Sequence, residues 1–275
     1  MPTVLVTGLP RSGTTLLCSL LNDFPETLAL GEPLALGQHG DRARALAEIE
    51  SFIDMTRRRA IANGFAMSKH VDGKIPENWV EDPAVLATGR RRRILEQRGE
   101  IAVAKPLSET FHLIIKHPAE FTALAEPLSL RFPLYAVVRH PLAVLAAWQT
   151  VEMPVHYGHM PMLECFVPGL TAQLDAIDDR VERQVALMRF LFGTYATFAP
   201  ERILRYEDLM ADPASQLARL SPHAGRPARR LAAYDPRQRY TNVDLRALAE
   251  ALLPLAPDVS PFFPDFLASL RPYLP

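Results

Sequence analysis

The sequence is poor in cysteine, has no excess of charge of either sign and contains no long apolar run. Its two cysteines, Cys18 and Cys165, lack the spacing of metal ligands or of a disulfide framework, which favours a reducing cytoplasm. The 30 basic and 31 acidic side chains give a formal net charge of -1, so no global field points to nucleic acid or to an anionic membrane. No stretch approaches the ~18 apolar residues of a membrane span, and the N-terminus lacks the basic and apolar regions of a secretory signal. The sequence therefore predicts a soluble protein in which any anion site is local.

The apolar content is sufficient for a full core. The 275 residues, 48% of them hydrophobic, predict one α/β domain over 1–275. Short apolar runs alternate with helical patterns, which predicts a parallel sheet with helices on both faces. Residues 37–100 are predicted to be a mostly helical insertion or cap, whose arginine runs Arg57–Arg59 and Arg90–Arg93 are typical of solvated helix faces. Residues 151–170, rich in Met, His and Pro, are predicted to be an irregular loop that covers a substrate. Abundant Ala, Leu, Arg and Pro are typical of a high-GC bacterial genome.

The first predicted strand leads into a glycine-containing turn before a helix. Gly8-x-x-x-x-Gly13-Thr14-Thr15 matches the phosphate-loop pattern G-x-x-x-x-G-K-[ST], except that Thr14 stands in place of the lysine. The backbone amides of such a loop still surround a phosphate. A kinase, however, normally needs the lysine on its β- and γ-phosphates. A donor with one 5′-phosphate that carries a sulfate needs a different cation, which Arg11 is placed to supply.

Polar residues follow several other apolar runs. Glu32 lies just after Leu28–Leu30, and Lys116 follows directly after Leu113–Ile115. Arg139 comes after a further run, and each of the three is accompanied by a nearby proline. The pattern therefore predicts polar side chains at the ends of buried strands.

Together these segments resemble the sulfotransferases that use 3′-phosphoadenosine 5′-phosphosulfate (PAPS). The hexapeptide 10–15, Pro-Arg-Ser-Gly-Thr-Thr, is similar to the 5′-phosphosulfate loop of that family. Further matches follow in the family's order: Gly31-Glu32-Pro33, Lys116, Val137-Val138-Arg139-His140-Pro141 with Trp148 downstream, and Leu204-Arg205-Tyr206-Glu207-Asp208-Leu209 before Asp212-Pro213. The insertion and the C-terminal end match weakly. The resemblance implies a P-loop-like sulfotransferase fold, and transfer of a sulfuryl group from PAPS without a metal.

The same resemblance assigns a cofactor site. It implies that the 5′-phosphosulfate is bound by Pro10, Arg11, Ser12, Gly13, Thr14 and Thr15. Arg139 and Tyr206 would bind the 3′-phosphate, in agreement with the bidentate grip of guanidinium on phosphate, and Arg239 would close the site. Ala147 stands where the family usually has a serine. Either Gln149 or Thr150 replaces that serine, or binding of the 3′-phosphate is weaker.

The catalytic groups are also implied by the resemblance. Arg11 and Lys116 would stabilise the charge that develops on the departing phosphate oxygen. The acceptor loses a proton, so a general base is needed near the sulfur. Glu32 is the first candidate, because a half-buried carboxylate can have its pKa raised toward neutrality. His117 is the second, since one branch of the family uses a histidine soon after the corresponding lysine, although the spacing differs here.

Two other functions stay open at this stage. An atypical P-loop phosphotransferase would require ATP and magnesium, and the missing loop lysine argues against it. A non-catalytic binding module of the same fold would be consistent with Ala147. The acceptor is predicted to be a hydrophobic small molecule, such as a secondary metabolite, lipid or phenol, because flexible methionines adapt to irregular apolar ligands. A sugar acceptor stays open. The predicted loop contributes Met153, Tyr157, Met160, Met162 and Phe166, with His156 and His159 as surface residues of it.

Overall fold

A five-stranded parallel sheet forms the centre of the protein in the computed structural model, which describes residues 2–38, 40–80, 96–231 and 235–275. Its strands are β1 (Thr3–Gly8), β2 (Thr27–Gly31), β5 (His112–Lys116), β6 (Leu134–Val138) and β7 (Ile203–Arg205). Their order across the sheet is β2-β5-β1-β6-β7, with every neighbouring pair parallel. A separate antiparallel hairpin consists of β3 (Phe65–His70) and β4 (Gln97–Ala102).

Helices connect the strands and follow the last one. The longer helices are α1 (Thr14–Leu21), α2 (Arg42–Asn63), α5 (Pro141–Gln149), α8 (Arg180–Tyr195) and α12 (Leu245–Leu252). The shorter ones are α3 (Glu120–Ala123), α4 (Ala125–Ser129), α6 (Pro161–Glu164), α7 (Leu170–Asp175), α9 (Tyr206–Ala211), α10 (Pro213–Ala218), α11 (Pro236–Arg239), α13 (Ala256–Val259) and α14 (Phe266–Leu270). Short 3-10 turns lie at Leu36–Gln38, Pro154–Tyr157, Pro200–Arg202, Leu253–Leu255 and Arg271–Tyr273. In the residues described, no helix is long and apolar enough to cross a membrane.

The sheet is covered on both faces, as the alternating apolar runs predict. Successive side chains of a strand point to opposite faces. In β5, Leu113 and Ile115 belong to the core shared with α2, α5, α8 and α12, whereas Ile114 packs in a second core with α1, α9 and α10. Leu5 of β1 lies in the first core, and Val6 in the second. The α/β class with helices on both faces is therefore confirmed.

The segment 37–100 differs in part from its predicted helical character. The helix α2 accounts for Arg42–Asn63, but the hairpin of β3 and β4 follows it. Residue-by-residue pairing in the hairpin places Lys69 directly opposite Arg98. The alternation of buried and exposed residues in β3 lies within a polar stretch, which hid the strand from a search for apolar runs. The predicted run Arg90–Arg93 lies outside the described residues.

Residues 151–170 contain more regular structure than predicted. A 3-10 turn occupies Pro154–Tyr157, and α6 occupies Pro161–Glu164. Met160 and Phe166 are buried in the first core. This segment is thus packed on the body of the protein, and it forms one wall of a cavity described below.

The carboxyl ends of the five parallel strands meet at one edge of the sheet. Arg11 follows β1, Glu32 follows β2, and Lys116 is the last residue of β5. Arg139 and Tyr206 follow β6 and β7 in the same way. In open α/β sheets, ligands bind outside the carboxyl ends of the strands. The topology therefore brings residues that are far apart in sequence to a single edge.

Candidate active site

The loop between β1 and α1 is fixed by its neighbours. The indole Nε1 of Trp148 donates a hydrogen bond of 2.9 Å to the carbonyl oxygen of Pro10. Gly13 has a φ of 98°, and a Cβ at that position would lie 2.6 Å from Cδ2 of Tyr206. Glycine adopts this conformation without steric cost and leaves room for the ring. Glycine at position 13 of the loop therefore makes room for the ring of Tyr206, which follows the edge strand β7.

An arginine-lined cavity of about 480 Å³, here called the arginine pocket, lies beside this loop. The guanidinium of Arg139 lies 4.2 Å from the ring centroid of Tyr206, and its Nη1 donates to the carbonyl of Arg11 at 3.1 Å. The cationic side chains of the lining are those of Arg11, Arg139, Arg230 and Arg239. Among the lining residues described, the one carboxylate is that of Glu77, which pairs with Arg229. Four guanidinium groups against one paired carboxylate suit a ligand with several anionic groups.

A second cavity of about 460 Å³, here called the methionine pocket, lies on the other side of the loop. Its apolar lining includes Trp79, Met153, Val155, Met160 and Met162. Its polar lining includes Glu32, Lys69, Arg98, Lys116, Glu120 and His159. Arg11, Thr14 and Thr15 line both cavities. The phosphate loop is therefore the shared wall at which a ligand in one pocket could react with a ligand in the other.

A chain of ion pairs lies in the lining of the methionine pocket, next to the phosphate loop. Nζ of Lys116 is 2.6 Å from Oε1 of Glu32, and Nζ of Lys69 is 2.7 Å from Oε2. Lys69 also lies 3.0 Å from Glu96. Lys116 lies 3.4 Å from Oγ1 of Thr15, which connects the network to the phosphate loop. The pairing of Gly31 with Lys116 across β2 and β5 explains why Glu32 and Lys116 meet.

The network changes the expected acidity of Glu32. Burial alone would raise the pKa of this carboxyl, as predicted from the sequence. The positive charges of Lys116 and Lys69, and the hydrogen bonds that they donate, outweigh burial and hold the pKa of Glu32 well below its usual range. The prediction of a raised pKa was therefore wrong, because the second lysine was not recognised. The lowered pKa favours the ionised form of Glu32 at neutral pH.

Comparison with known proteins identifies the family of the chain. A profile of the sulfotransferase family matches residues 2–230. The chain belongs to the sulfotransferase family. Similar solved structures are the sulfotransferase domain from the curacin biosynthetic pathway and sulfotransferase STF1 from Mycobacterium tuberculosis. The first is 14% identical and covers 81% of this chain and 74% of that one, with a TM-score of 0.36. The second is 15% identical and covers 92% and 76%, with a TM-score of 0.37. No curated protein matches the chain.

Two residues assigned from the family resemblance, His117 and Ser12, line neither pocket. His117 is fully buried, and its Nε2 accepts a hydrogen bond of 3.3 Å from the amide of Leu34. Its ring packs against Phe121, with Nδ1 3.3 Å from a carboxylate oxygen of Glu120. Ser12 belongs to the loop, but its side chain is buried and lines neither pocket. Its Oγ has no hydrogen-bond partner in the part of the chain that the structure describes. The roles assigned to these two side chains from the resemblance stay predictions.

Position 147, where the family resemblance predicts a serine, holds a buried alanine in α5. Thr150 donates its hydroxyl to the carbonyl of Ala147 at 3.0 Å. Gln149 turns toward α8, where it contacts Gln184 and Arg180. Neither Gln149 nor Thr150 lines the arginine pocket, so neither takes the place of the missing serine in this structure.

Several site residues were not recognised in the sequence. Arg230 lines the arginine pocket, and Lys69 completes the network at Glu32. Asn78 accepts a hydrogen bond of 2.8 Å from the guanidinium of Arg11. All three lie outside the short motifs on which the sequence analysis relied, so no motif pointed to them. A group of three or more His, Cys, Asp or Glu side chains able to hold a metal ion is not found among the described residues.

Proposed function

We propose that the protein transfers a sulfuryl group from PAPS to a hydroxyl or amine of a small-molecule acceptor. The observation that carries this proposal is the phosphate loop shared by two cavities. Arg11, Thr14 and Thr15 line both the arginine pocket and the methionine pocket. A donor in the first and an acceptor in the second would therefore meet at the loop. Holding two reactants in this arrangement supplies much of the rate enhancement of a group transfer.

The arginine pocket fits the donor. PAPS carries charge at its 5′-phosphosulfate and at its 3′-phosphate, and the pocket has cations on more than one side. Arg11 and the amides at the start of α1 would hold the 5′ end, as phosphate-binding loops do. Arg139, Tyr206 and Arg239 would hold the 3′ end. Because Arg139 also supports the carbonyl of Arg11, its role is to bind the donor and to hold the loop in shape.

Lys116 is proposed to act at the leaving group. When bound, PAPS supplies an activated sulfuryl group, whose departure leaves negative charge on a phosphate oxygen. The ammonium of Lys116 lies between the carboxylate of Glu32 and the hydroxyl of Thr15 on the loop. A cation in that position stabilises the negative charge that develops on the departing phosphate oxygen beside the phosphate loop, and Arg11 would do the same. Both residues were predicted from the resemblance, and their roles remain part of this proposal.

Glu32 is proposed to accept the proton of the acceptor. It lines the methionine pocket, where the acceptor would lie, and its lowered pKa favours the ionised form that a base requires. Its low pKa makes it a weak base while both lysines contact it. A shift of the Lys116 ammonium toward the negatively charged donor would leave Lys69 as the remaining partner and raise the pKa of Glu32. Donor binding would thus strengthen the base. His117 is a poorer candidate, because it is fully buried and does not line the pocket.

The acceptor is proposed to be a hydrophobic small molecule such as a secondary metabolite, a lipid or a phenol. The methionines and Trp79 provide an apolar, adaptable wall.

The free thiols of Cys18 and Cys165 fit a protein of the reducing cytoplasm.

The test is calorimetric binding of 3′-phosphoadenosine 5′-phosphate, the desulfated cofactor, compared with ATP and with adenosine 5′-phosphate. Wild type and Arg139→Ala are measured side by side. Magnesium-independent binding of the bisphosphate in preference to the other two, lost in the variant, supports the proposal. A preference for ATP with magnesium would favour a phosphotransferase instead. No binding of any nucleotide would favour a non-catalytic module.

A further inference from the structure

The mouth of the methionine pocket carries a cation that has no carboxylate partner. Arg98 lies in β4 and its side chain is exposed, while Met160 and Val155 of the same lining are buried deeper. Nε of Arg98 donates a hydrogen bond of 3.2 Å to the carbonyl oxygen of Glu32. Among the residues that the structure describes, no carboxylate pairs with its guanidinium.

The other cations of this pocket are already engaged. Lys116 and Lys69 share the carboxylate of Glu32, and Lys69 contacts Glu96 as well. Arg11 belongs to the phosphate loop and donates to Asn78. Arg98 is thus the cation of the methionine pocket whose charge neither the ion-pair network nor the phosphate loop uses.

The hairpin fixes the direction of the Arg98 side chain. Arg98 lies directly opposite Lys69 in the β3–β4 pairing, so the two side chains leave the hairpin on one face. Both reach the end of β2, one at the carboxylate of Glu32 and the other at its carbonyl. With Nε engaged, the four N–H groups on the two terminal nitrogens remain as donors. Such a fork matches a carboxylate in a bidentate geometry.

We propose that the acceptor is an amphipathic anion: its apolar body lies against the methionine wall, its hydroxyl lies near Glu32, and its carboxylate is bound by Arg98. The inference rests on the proposed function for the identity of the pocket. It adds that a neutral apolar acceptor leaves the Arg98 fork unused. Because Arg98 contacts the backbone of Glu32 itself, the carboxylate and the reacting hydroxyl approach the same residue from two sides.

The experiment uses acceptor pairs that differ in the charged group alone. One pair is ω-hydroxydodecanoate and ω-hydroxydodecanamide, and the other is para-hydroxyphenylacetate and its amide. With PAPS as donor, the inference predicts that wild type has a kcat/KM about 10- to 100-fold higher for the acid of at least one pair, the range expected for a charge-assisted bond. In Arg98→Met the acid-to-amide ratio falls to about one, and in Arg98→Lys part of the preference returns.

A surface arginine serves as the matched control. Arg44 is exposed, pairs with Glu48 within α2 and lines neither pocket. Arg44→Met is expected to keep the wild-type acid-to-amide ratio. Equal kcat/KM values for acid and amide in wild type, in both pairs, would overturn the inference and leave the proposed sulfuryl transfer standing.

A binding measurement separates failure of the inference from failure of the proposed function. Calorimetry with dodecanoate and dodecanamide is done in the presence of 3′-phosphoadenosine 5′-phosphate. A preference for dodecanoate that Arg98→Met abolishes supports the anion site even if no sulfate is transferred. Lack of transfer from PAPS to any acceptor would instead count against the proposed function. If dodecanoate binds no better than the amide, and no acid preference is seen in turnover, the anion site is wrong.

Discussion

Nζ of Lys69 lies 2.7 Å from one carboxylate oxygen of Glu32, and Nζ of Lys116 lies 2.6 Å from the other. The two lysines come from different parts of the fold, the hairpin and the central sheet. Lys116 is buried, so its charge depends on Glu32 for compensation. The same ion pairs of Glu32 therefore stabilise the ends of the strands and set the acidity of Glu32 as the proposed base.

The first prediction concerns stability in Glu32→Gln. Removing the carboxylate leaves Lys116 buried without its ion pair, which is expected to lower the free energy of unfolding by about 3 kcal/mol near pH 7. The pKa of Glu32 is lower in the folded state than its ordinary value of 4.5. Its stabilising contribution is therefore fully present above that value and is lost as the pH falls toward the lower folded pKa. Urea unfolding at pH 7 and below pH 4.5 checks this.

The difference between wild type and Glu32→Gln should shrink in the acidic measurement, because the unfolded wild-type chain takes up a proton at Glu32 below pH 4.5 while the folded protein still holds the carboxylate ionised. A difference that grows on acidification would contradict the ion-pair account. Glu250→Gln serves as the control, since Glu250 forms an exposed pair with Arg246, and such pairs contribute little.

The second prediction concerns the pH dependence of sulfate transfer in Lys69→Met. Removing one of two adjacent positive charges raises the pKa of Glu32, so the acid limb of kcat/KM is expected to move to higher pH. Lys69→Arg keeps the charge and should keep the acid limb of wild type. Initial rates over a pH series check this. Superimposable profiles for wild type and Lys69→Met would show that Lys69 anchors the hairpin without affecting the base.

The parallel sheet and its polar edge could be predicted because each feature is local in the sequence. Short apolar runs mark the buried strands, and Glu32, Lys116 and Arg139 follow them directly. The phosphate loop was recognised from its glycine spacing. These signals depend on a few residues that are adjacent in sequence, so they can be recognised without knowing which residues pack against them.

The remaining site residues depend on long-range packing, which leaves no local signal. Lys69 and Arg98 lie in a polar hairpin, and they meet Glu32 only because β3 and β4 pair beside the end of β2. The pKa of Glu32 was predicted in the wrong direction for the same reason, since its sign is decided by two partners that are distant in sequence. His117 directly follows Lys116 in sequence, yet its ring is buried against Phe121.

The third prediction concerns the phosphate loop in Gly13→Ala. A Cβ at this position would lie 2.6 Å from the ring of Tyr206, and its φ of 98° is unfavourable for any residue with a side chain. We expect a loss of about 1–2 kcal/mol of stability and at least a tenfold weaker binding of 3′-phosphoadenosine 5′-phosphate. Gly193→Ala is the control, because nothing lies within 4 Å of a Cβ there. Chemical denaturation and calorimetry measure the two effects.

A second substitution, Tyr206→Ala, distinguishes the two causes of the weaker nucleotide binding, which are the clash with the ring and the unfavourable backbone conformation. If the clash with Tyr206 dominates, the double variant Gly13→Ala with Tyr206→Ala should lose little more affinity than Tyr206→Ala alone. If the backbone conformation dominates, the two losses should add. Gly13→Ala with wild-type stability and affinity would contradict the described contact between the loop and the ring.

The last prediction concerns Arg230 and Arg239, the two arginines of the arginine pocket that come from the C-terminal part of the chain. If Arg230 and Arg239 contact the 3′-phosphate end of the donor, Arg230→Gln and Arg239→Gln should each weaken binding of 3′-phosphoadenosine 5′-phosphate about tenfold or more. The same changes should have a much smaller effect on adenosine 5′-phosphate, which lacks the 3′ group. Arg246→Gln, at an exposed site on α12, should leave both affinities unchanged. Equal losses for the two nucleotides would instead assign these arginines to the 5′ end, and would leave Arg139 as the remaining candidate for recognition of the 3′-phosphate.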